Sequence, residues 1–538
     1  MMTTMAAARR TLVRSRILLL LPLLLAGTAA SDSCPSYEEY AREGHEPSSS
    51  GRYAFPFQRP DERCRTYVVP AVERAIANEM PGAIGDPDLF QLFQNTWPNT
   101  VDTTVRWTGV AADNPDEELA FITTGDIDAM WLRDSANQLQ SYKSVIAHTG
   151  ASASASENNI ASLFRGAINL QGRYIREAPW CNAFRPPPEA RSALARTKRS
   201  SSVGPRDQVH PEYNSDVVFE CKYELDSLAA FLQLSWDYYE ESGDGDFFGR
   251  FGWVDTVKKI LKVAKLMQDG TYAQDGSVLP SHYSWLRDSN SASETVSNHG
   301  RGAPVKGDIG LVRSFFRPSD DACIYQYFIP ANMMLARYMT SCAAIMRELN
   351  AKVAQQMEDL AAGIEIGINE HAIIPHPKFG DMYAYEIDGF GSFNLMDDAN
   401  LPSLLSIPHI GYKPASQHVY DNTRAFVLSS SNSYYARGPV LNATGGPHLG
   451  PGMAWPMGLI IQMMTSDDDA EIADGMRQLL GSTSGLGLIH ETVNSHDDTK
   501  WTRSWFAWAN GLFGQMILDL WKRKPELIAR SYQHEANS

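Results

Sequence analysis

The sequence predicts an all-α fold, a toroid of helical hairpins closed around one pocket. Three observations carry this. Beyond Arg65, nine segments place apolar residues at spacings of three and four, the period of a helix with a buried face. The strict alternation of a half-buried strand is scarce. Acidic and aromatic clusters fall between those segments or at their starts, so a ring of hairpins would gather them at a common centre.

The first helix is predicted over 69–80, on Val69, Val72, Ile76 and Met80, and the second over 137–148, on Leu139, Tyr142 and Val145. Asp134 reads as the N-cap of the second, with Gln138 in its first turn. Segments 160–176 (Ile160, Leu163, Phe164, Ala167), 223–241 (Leu225, Leu228, Phe231, Leu232) and 254–267 (Val257, Ile260, Leu261, Ala264) follow the same rule. A long apolar pattern over 331–361 reads as one helix, and 453–464, 470–480 and 505–523 complete the series. Nine helices exceed a simple bundle, and several are apolar round most of their circumference, as helices packed on both sides must be.

Residues 1–30 read as a secretory signal: Arg9, Arg10, Arg14 and Arg16, an apolar run from Ile17 to Ala26, then small residues. The run is shorter than the roughly 20 residues that span a bilayer, so secretion or passage through the secretory pathway is expected, with no stable membrane partner. Removal of this segment takes four of the 47 basic side chains and none of the 63 acidic ones, deepening the formal charge from -16 to -20. Nucleic acid is excluded as a partner class. All six cysteines lie beyond the signal, and an even number in a secreted chain suits disulfides. Asn442-Ala443-Thr444 is a glycosylation sequon. Segment 31–64 reads as an extension, 65–525 as one large domain, and 526–538 as a tail. Within the domain, 185–211, with its three consecutive prolines, serines and the basic Arg196, Lys198 and Arg199, reads as a flexible insertion.

The chemistry concentrates in clusters. Asp126, Asp128, Trp131, Arg133 and Asp134 combine what grips a sugar by its hydroxyls with an aromatic to cover its apolar face. Lys222 to Leu228 opens a helix and carries Glu224 and Asp226, whose acids suit a helical first turn as well as a pocket. Arg317, Asp320 and Asp321 form a third cluster and Asp397, Asp398 and Asn400 a fourth; paired aspartates before a helix suit calcium, sugar hydroxyls or capping equally. His490-Glu491 precedes Arg503, Trp505 and Trp508, a pocket-like composition. His490 and His496 are six apart, which is not the spacing of two zinc ligands on one helical face. No Cys-x-x-Cys pair, Gly-x-Ser-x-Gly elbow, P-loop or dinucleotide turn occurs, so structural zinc, redox, serine-hydrolase and nucleotide readings fall away and no cofactor is expected.

In this order, the clusters Gly125 to Ser135, Lys222 to Leu228, Phe316 to Ala322, Met396 to Asn400, Gly452 to Pro456 and His490-Glu491 resemble those of glycoside hydrolase family 125, over roughly Arg65 to Leu520. The resemblance implies an (α/α)6 barrel, exo-acting hydrolysis of α-1,6-linked mannose with inversion, and mannose-containing glycans as substrate, as in the family's fungal secreted members. It further implies Asp226 as general acid and Glu491 as general base, the other clustered residues holding the sugar. Two alternatives stand beside it. One is a helical-barrel α-mannosidase of other linkage, calcium-assisted through Asp320, Asp321, Asp397 or Asp398. The other is a mannan-binding protein without turnover.

Overall fold

Helices alternate along the chain between an inner and an outer layer. The structure, a computed structural model, describes residues 34–146, 158–194 and 207–533. Ser36–Ser538 forms one unit and Met1–Pro35 another, and the expected signal segment lies outside the described residues. Leu132–Gln140, Leu225–Ser242, Ile329–Leu349, Pro456–Met464 and Ala507–Arg523 are inner helices. Leu225–Ser242 packs on Leu132–Gln140 and on Ile329–Leu349, while Ala507–Arg523 packs on Pro456–Met464 and back on Leu132–Gln140, which closes the ring. In chain order the sixth inner place falls to the wound segment 403–411, which buries Leu404, Leu405, Ile407 and Ile410. Each of the five inner elements from Leu132 to Met464 is followed by an outer helix: Ile160–Glu177, Trp253–Leu266, Ala351–His371, Gln417–Val427 and Asp469–Gly481. Pro87–Thr96 covers Ala507–Arg523 from outside. The fold is the expected (α/α)6 barrel.

Inner helices are apolar on most sides because neighbours flank them and an outer helix backs them; Leu225–Ser242 buries residues around its whole circumference. The expected 331–361 helix is two. Asn350 leaves helical geometry at φ -160° and its side chain caps the second helix by accepting from Val353 N at 3.2 Å. The helix expected from 137 begins at Leu132, so Asp134 lies in its first turn and Trp131 takes the cap position.

Short antiparallel ribbons feed the inner helix starts. Met130–Trp131 pairs with Ala183–Phe184 and that with Val218–Glu220; Tyr327–Phe328 pairs with Glu386–Ile387; Met453–Ala454 pairs with Thr492–Asn494. A disulfide joins Cys181 to Cys221, and Cys34 and Cys64 are also disulfide-bonded. Cys323 and Cys342 are buried free thiols, so the even cysteine number is not fully spent on bridges.

Described residues of the expected extension and tail pack on the rest of their unit. Tyr37 stacks edge-on against Trp505 at 5.0 Å, and Tyr532 N donates to Asp86 Oδ2 at 2.6 Å. The expected flexible insertion is ordered at both ends. Pro188–Leu194 is helical and Glu189 pairs with Arg173 at 3.0 Å, while Gln208–His210 pairs with Ser284–Leu286. Residues 195–206, with Lys198-Arg199, lie outside the described residues.

Candidate active site

A pocket opens where inner helices begin. Trp131, Arg133 and Asp134 come from the start of Leu132–Gln140, Ser319 and Asp320 from the loop before Ile329, and Asn400 from the turn before 403. Trp455 precedes Pro456–Met464, and Glu491, Arg503 and Trp508 surround the start of Ala507–Arg523. Helix N-termini carry unpaired N–H groups and a partial positive charge, so this end of the barrel tolerates an unusual density of carboxylates.

Two clusters of opposite build line this space. On one, Arg503 pairs with Glu491 through Nη1 and with both oxygens of Asp126 through Nε, at 3.1 and 3.2 Å. On the other, the buried Arg133 is a hub: its Nη1 donates to Glu224 Oε2 at 2.6 Å and to Asp226 Oδ2 at 3.2 Å, and its Nη2 lies 3.4 Å from Asp134 and 3.7 Å from Asp320. Asn182 Nδ2 bridges Glu224 Oε1 at 3.1 Å and Asp320 Oδ1 at 3.4 Å. Asp320 and Arg503, one in each cluster, both hold left-handed backbone, φ 68° and 49°, which a non-glycine residue keeps only where its surroundings impose it.

Burial raises these acids and Arg133 restrains them. Asp134 and Asp226 are each pushed up to about 6. Burial drives Glu224 well above the carboxylate range against the pull of Arg133. It also acts on Asp320, but Lys222 and Arg133 overcome it and hold that carboxyl below the usual range. Glu224 and Asp320 share Asn182 and Arg133 as partners, and the two carboxyls are shifted in opposite directions, Glu224 toward its protonated form and Asp320 toward its ionised one. His448 reaches in from a Gly- and Pro-rich loop to within 3.5 Å of Asp321; burial opposes its charge, but Asp321, Asp320 and Glu491 raise it to about 9. Among the described residues, the indole Nε1 atoms of Trp131, Trp455 and Trp508 and Thr124 Oγ1 are buried without a hydrogen-bond partner, and all four residues line the pocket. Each such orphan costs about 1–3 kcal/mol, so the lining selects a ligand dense in hydroxyls, which both donate and accept.

Residues 86–518 match the model of a family described as metal-independent α-mannosidases, GH125. The chain belongs to glycoside hydrolase family 125. It is 43% identical over 503 residues to the meiotically up-regulated gene 157 protein of Schizosaccharomyces pombe (strain 972 / ATCC 24843), covering 93% of this chain and 95% of that protein. A metal-independent α-mannosidase of Streptococcus pneumoniae, solved as a non-productive complex with α-1,6-mannobiose, is similar at 30% identity and a TM-score of 0.71, over 84% of this chain and 99% of that one. The enzyme is a glycoside hydrolase, and the family's independence of metal overturns the calcium-assisted alternative.

In this α-mannosidase the pocket gathers nine of the residues expected there: Asp126, Trp131, Arg133, Asp134, Asp320, Asn400, Glu491, Arg503 and Trp508. The others lie behind it. Asp226 is fully buried in the first turn of its helix, outside the lining, where it anchors Arg133. Arg317 is spent on buried Glu386 at 2.6 Å. Asp397 caps the wound segment by accepting from Leu404 N at 2.8 Å and Leu405 N at 3.0 Å, and Asp398 accepts from Asn400 N at 2.9 Å. Asp321 is buried and takes the Ser319 hydroxyl at 2.9 Å. His490, driven down to about 4 by burial, stacks on Trp501 at 4.5 Å, and its Nδ1 lies 3.0 Å from the Arg503 carbonyl. Trp505 backs Gly125, where a Cβ would stand 2.9 Å from the indole. Asp128 pairs with Arg106 at 3.4 Å away from the lining. Thr124, Ser319 and Trp455 line the pocket without having been expected there, and two further contributors carry no usable sequence signal. His448 sits alone in a glycine-rich loop with no spacing to mark it, and Glu224 is visible only as one acid of a helix start.

Proposed function

We propose that the chain is an exo-acting α-mannosidase that removes non-reducing terminal α-1,6-linked mannose with inversion of configuration. The observation that carries this reading is a pocket lined by two carboxylate clusters, Glu491 with Arg503 and Asp126 in one, Asp320 with Glu224 and Arg133 in the other. The α-1,6-mannobiose held by the pneumococcal relative supports the linkage. A pocket walled by the starts of inner helices supports exo action, because a pocket accepts a chain end and a groove accepts its middle.

Inversion needs an acid at the leaving oxygen and a base that activates water on the opposite face of the ring. Glu491, oriented by Arg503, is the base. The acid is Asp320 rather than Asp226. A general acid must touch the leaving oxygen. Asp226 is outside the lining, whereas Asp320 lines the pocket with its side chain 28% exposed and has a proton-bearing neighbour in Glu224. Asp126 is equally exposed but is committed to Arg503 through both oxygens. Asp134 and the three indoles then hold the terminal sugar. Action in the secretory pathway or outside the cell rests on the basic and apolar run of residues 9–26 and on the Cys181–Cys221 bridge, since disulfides persist in oxidising compartments. Incubation with α-1,6-, α-1,3- and α-1,2-mannobiose tests the reading: preferential cleavage of the α-1,6 dimer is expected, and cleavage of none, or preference for another linkage, refutes it.

A further inference from the structure

We propose that Glu224 is a positioning residue that stores the catalytic proton and delivers it through Asp320. The inference rests on Asp320 acting as the acid. Glu224 is buried in the N-cap position of Leu225–Ser242. One oxygen accepts from Arg133 Nη1 at 2.6 Å and Ser227 Oγ at 2.8 Å, and the other from Asn182 Nδ2 at 3.1 Å. The same amide and the same guanidinium also reach Asp320, at 3.4 and 3.7 Å, so two carboxyl groups are clamped together by shared partners. Two carboxyl groups that share partners in this way disfavour double ionisation, and burial favours the proton on the more enclosed of them. Glu224, with no exposure of its side chain, retains it, while Asp320, facing Lys222, Arg133 and His448, presents the conjugate oxygen to the pocket.

In the reaction the glycosidic C–O bond breaks as Asp320 passes a proton to the leaving oxygen and takes one from Glu224. Glu491 removes a proton from the attacking water as the new C–O bond forms. The sum is one water added across one glycosidic bond. Solvent then removes the proton from Glu491 and restores one to the Glu224–Asp320 pair. The charged groups around the pair are Arg133, Asp134 and Asp226 from their helix starts, Lys222 and Glu220 from the preceding strand and loop, and His448 from the opposite loop.

Glu224→Gln tests this, because glutamine matches a protonated glutamate in charge and can still donate to Asp320, but it has no proton to transfer. On α-1,6-mannobiose, kcat should fall about 100-fold or more, with KM little changed, as for a lost acid. The alkaline limb of kcat/KM should move to lower pH, since Asp320 alone beside Lys222 and Arg133 keeps its proton poorly. On α-mannosyl fluoride, whose leaving group needs little protonation, the variant should stay within about tenfold of the parent. Equal losses on both substrates, or no loss on mannobiose, overturn the inference. Asp320→Asn, run alongside, separates the two levels. If it spares the fluoride and Glu224→Gln does not, the proton store is wrong and the acid stands. If it impairs both substrates equally, the acid assignment itself fails and takes the inference with it. Unchanged melting of Glu224→Gln excludes loss of fold as the cause.

Discussion

Replacing Arg133 by methionine perturbs the network where it is most connected. Four carboxyl groups lie within 3.7 Å of this guanidinium, and Glu224, Asp226 and Asp134 among them are buried. Removing one partner of a buried ion pair costs about 3–5 kcal/mol, because the remaining charge is stranded in a low dielectric. The cost must depend on pH, since a stranded carboxyl escapes by taking a proton. In the parent, Asp134 and Asp226 sit at about 6, above the unfolded value of about 3.9. The folded state therefore binds protons the unfolded state has released, and stability falls as pH rises from about 4 to about 6. Without Arg133 the same groups titrate higher still, and the falling window extends upward. Melting curves of Arg133→Met and the parent at pH 4.5 and 7.5 read this directly. The deficit should approach about 3–5 kcal/mol at pH 7.5 and shrink to less than half of that at pH 4.5. An equal deficit at both pH values would mean that Arg133 acts through packing alone, and the electrostatic reasoning would fall.

Trp508→Phe keeps the ring and removes an indole N–H that has no partner among the described residues. Loss of about 1–2 kcal/mol of sugar binding, roughly 5- to 30-fold in affinity for mannose by calorimetry, is expected; undiminished affinity would remove the indole from the sugar site. Asp397→Asn gives up one of two backbone hydrogen bonds to the 403–411 segment and should cost about 1–3 kcal/mol of stability while KM stays within about twofold; a raised KM with unchanged melting would return Asp397 to the sugar. Cys181 and Cys221 close a loop of 40 residues and flank Asn182 and Lys222, so Cys181→Ala/Cys221→Ala should lose about 4 kcal/mol by loop entropy, read by denaturant unfolding, together with part of kcat. Full activity in that double variant would show that the clamp on Asp320 does not need the bridge.

Much of the barrel is legible in the sequence because inner and outer helices must both bury a stripe, and the 3.6-residue period survives in each. The errors fall where side chains override that period. Asn350 interrupts an unbroken apolar pattern by capping the next helix with its own oxygen, and the 403–411 segment, capped by Asp397, carries no periodic signal. The site is legible to the level of clusters, since acids, arginines and tryptophans at helix starts mark the pocket end. Roles within a cluster are not. Asp226 and Asp320 are both aspartates beside basic residues, and only the fold shows that a helical first turn buries one while left-handed backbone turns the other into the pocket. Arg317 and Asp397 have the same composition as true pocket residues and are consumed by Glu386 and by backbone N–H groups.

The proposed acid and base, with water attacking opposite the leaving oxygen, have one direct consequence in the product. Hydrolysis of α-1,6-mannobiose, followed by proton NMR within the first minutes before mutarotation, should show β-mannose appearing first at the released terminus. α-Mannose as the first-formed anomer would contradict the account, because it would require Glu491 or Asp320 to act as a nucleophile in place of an activated water.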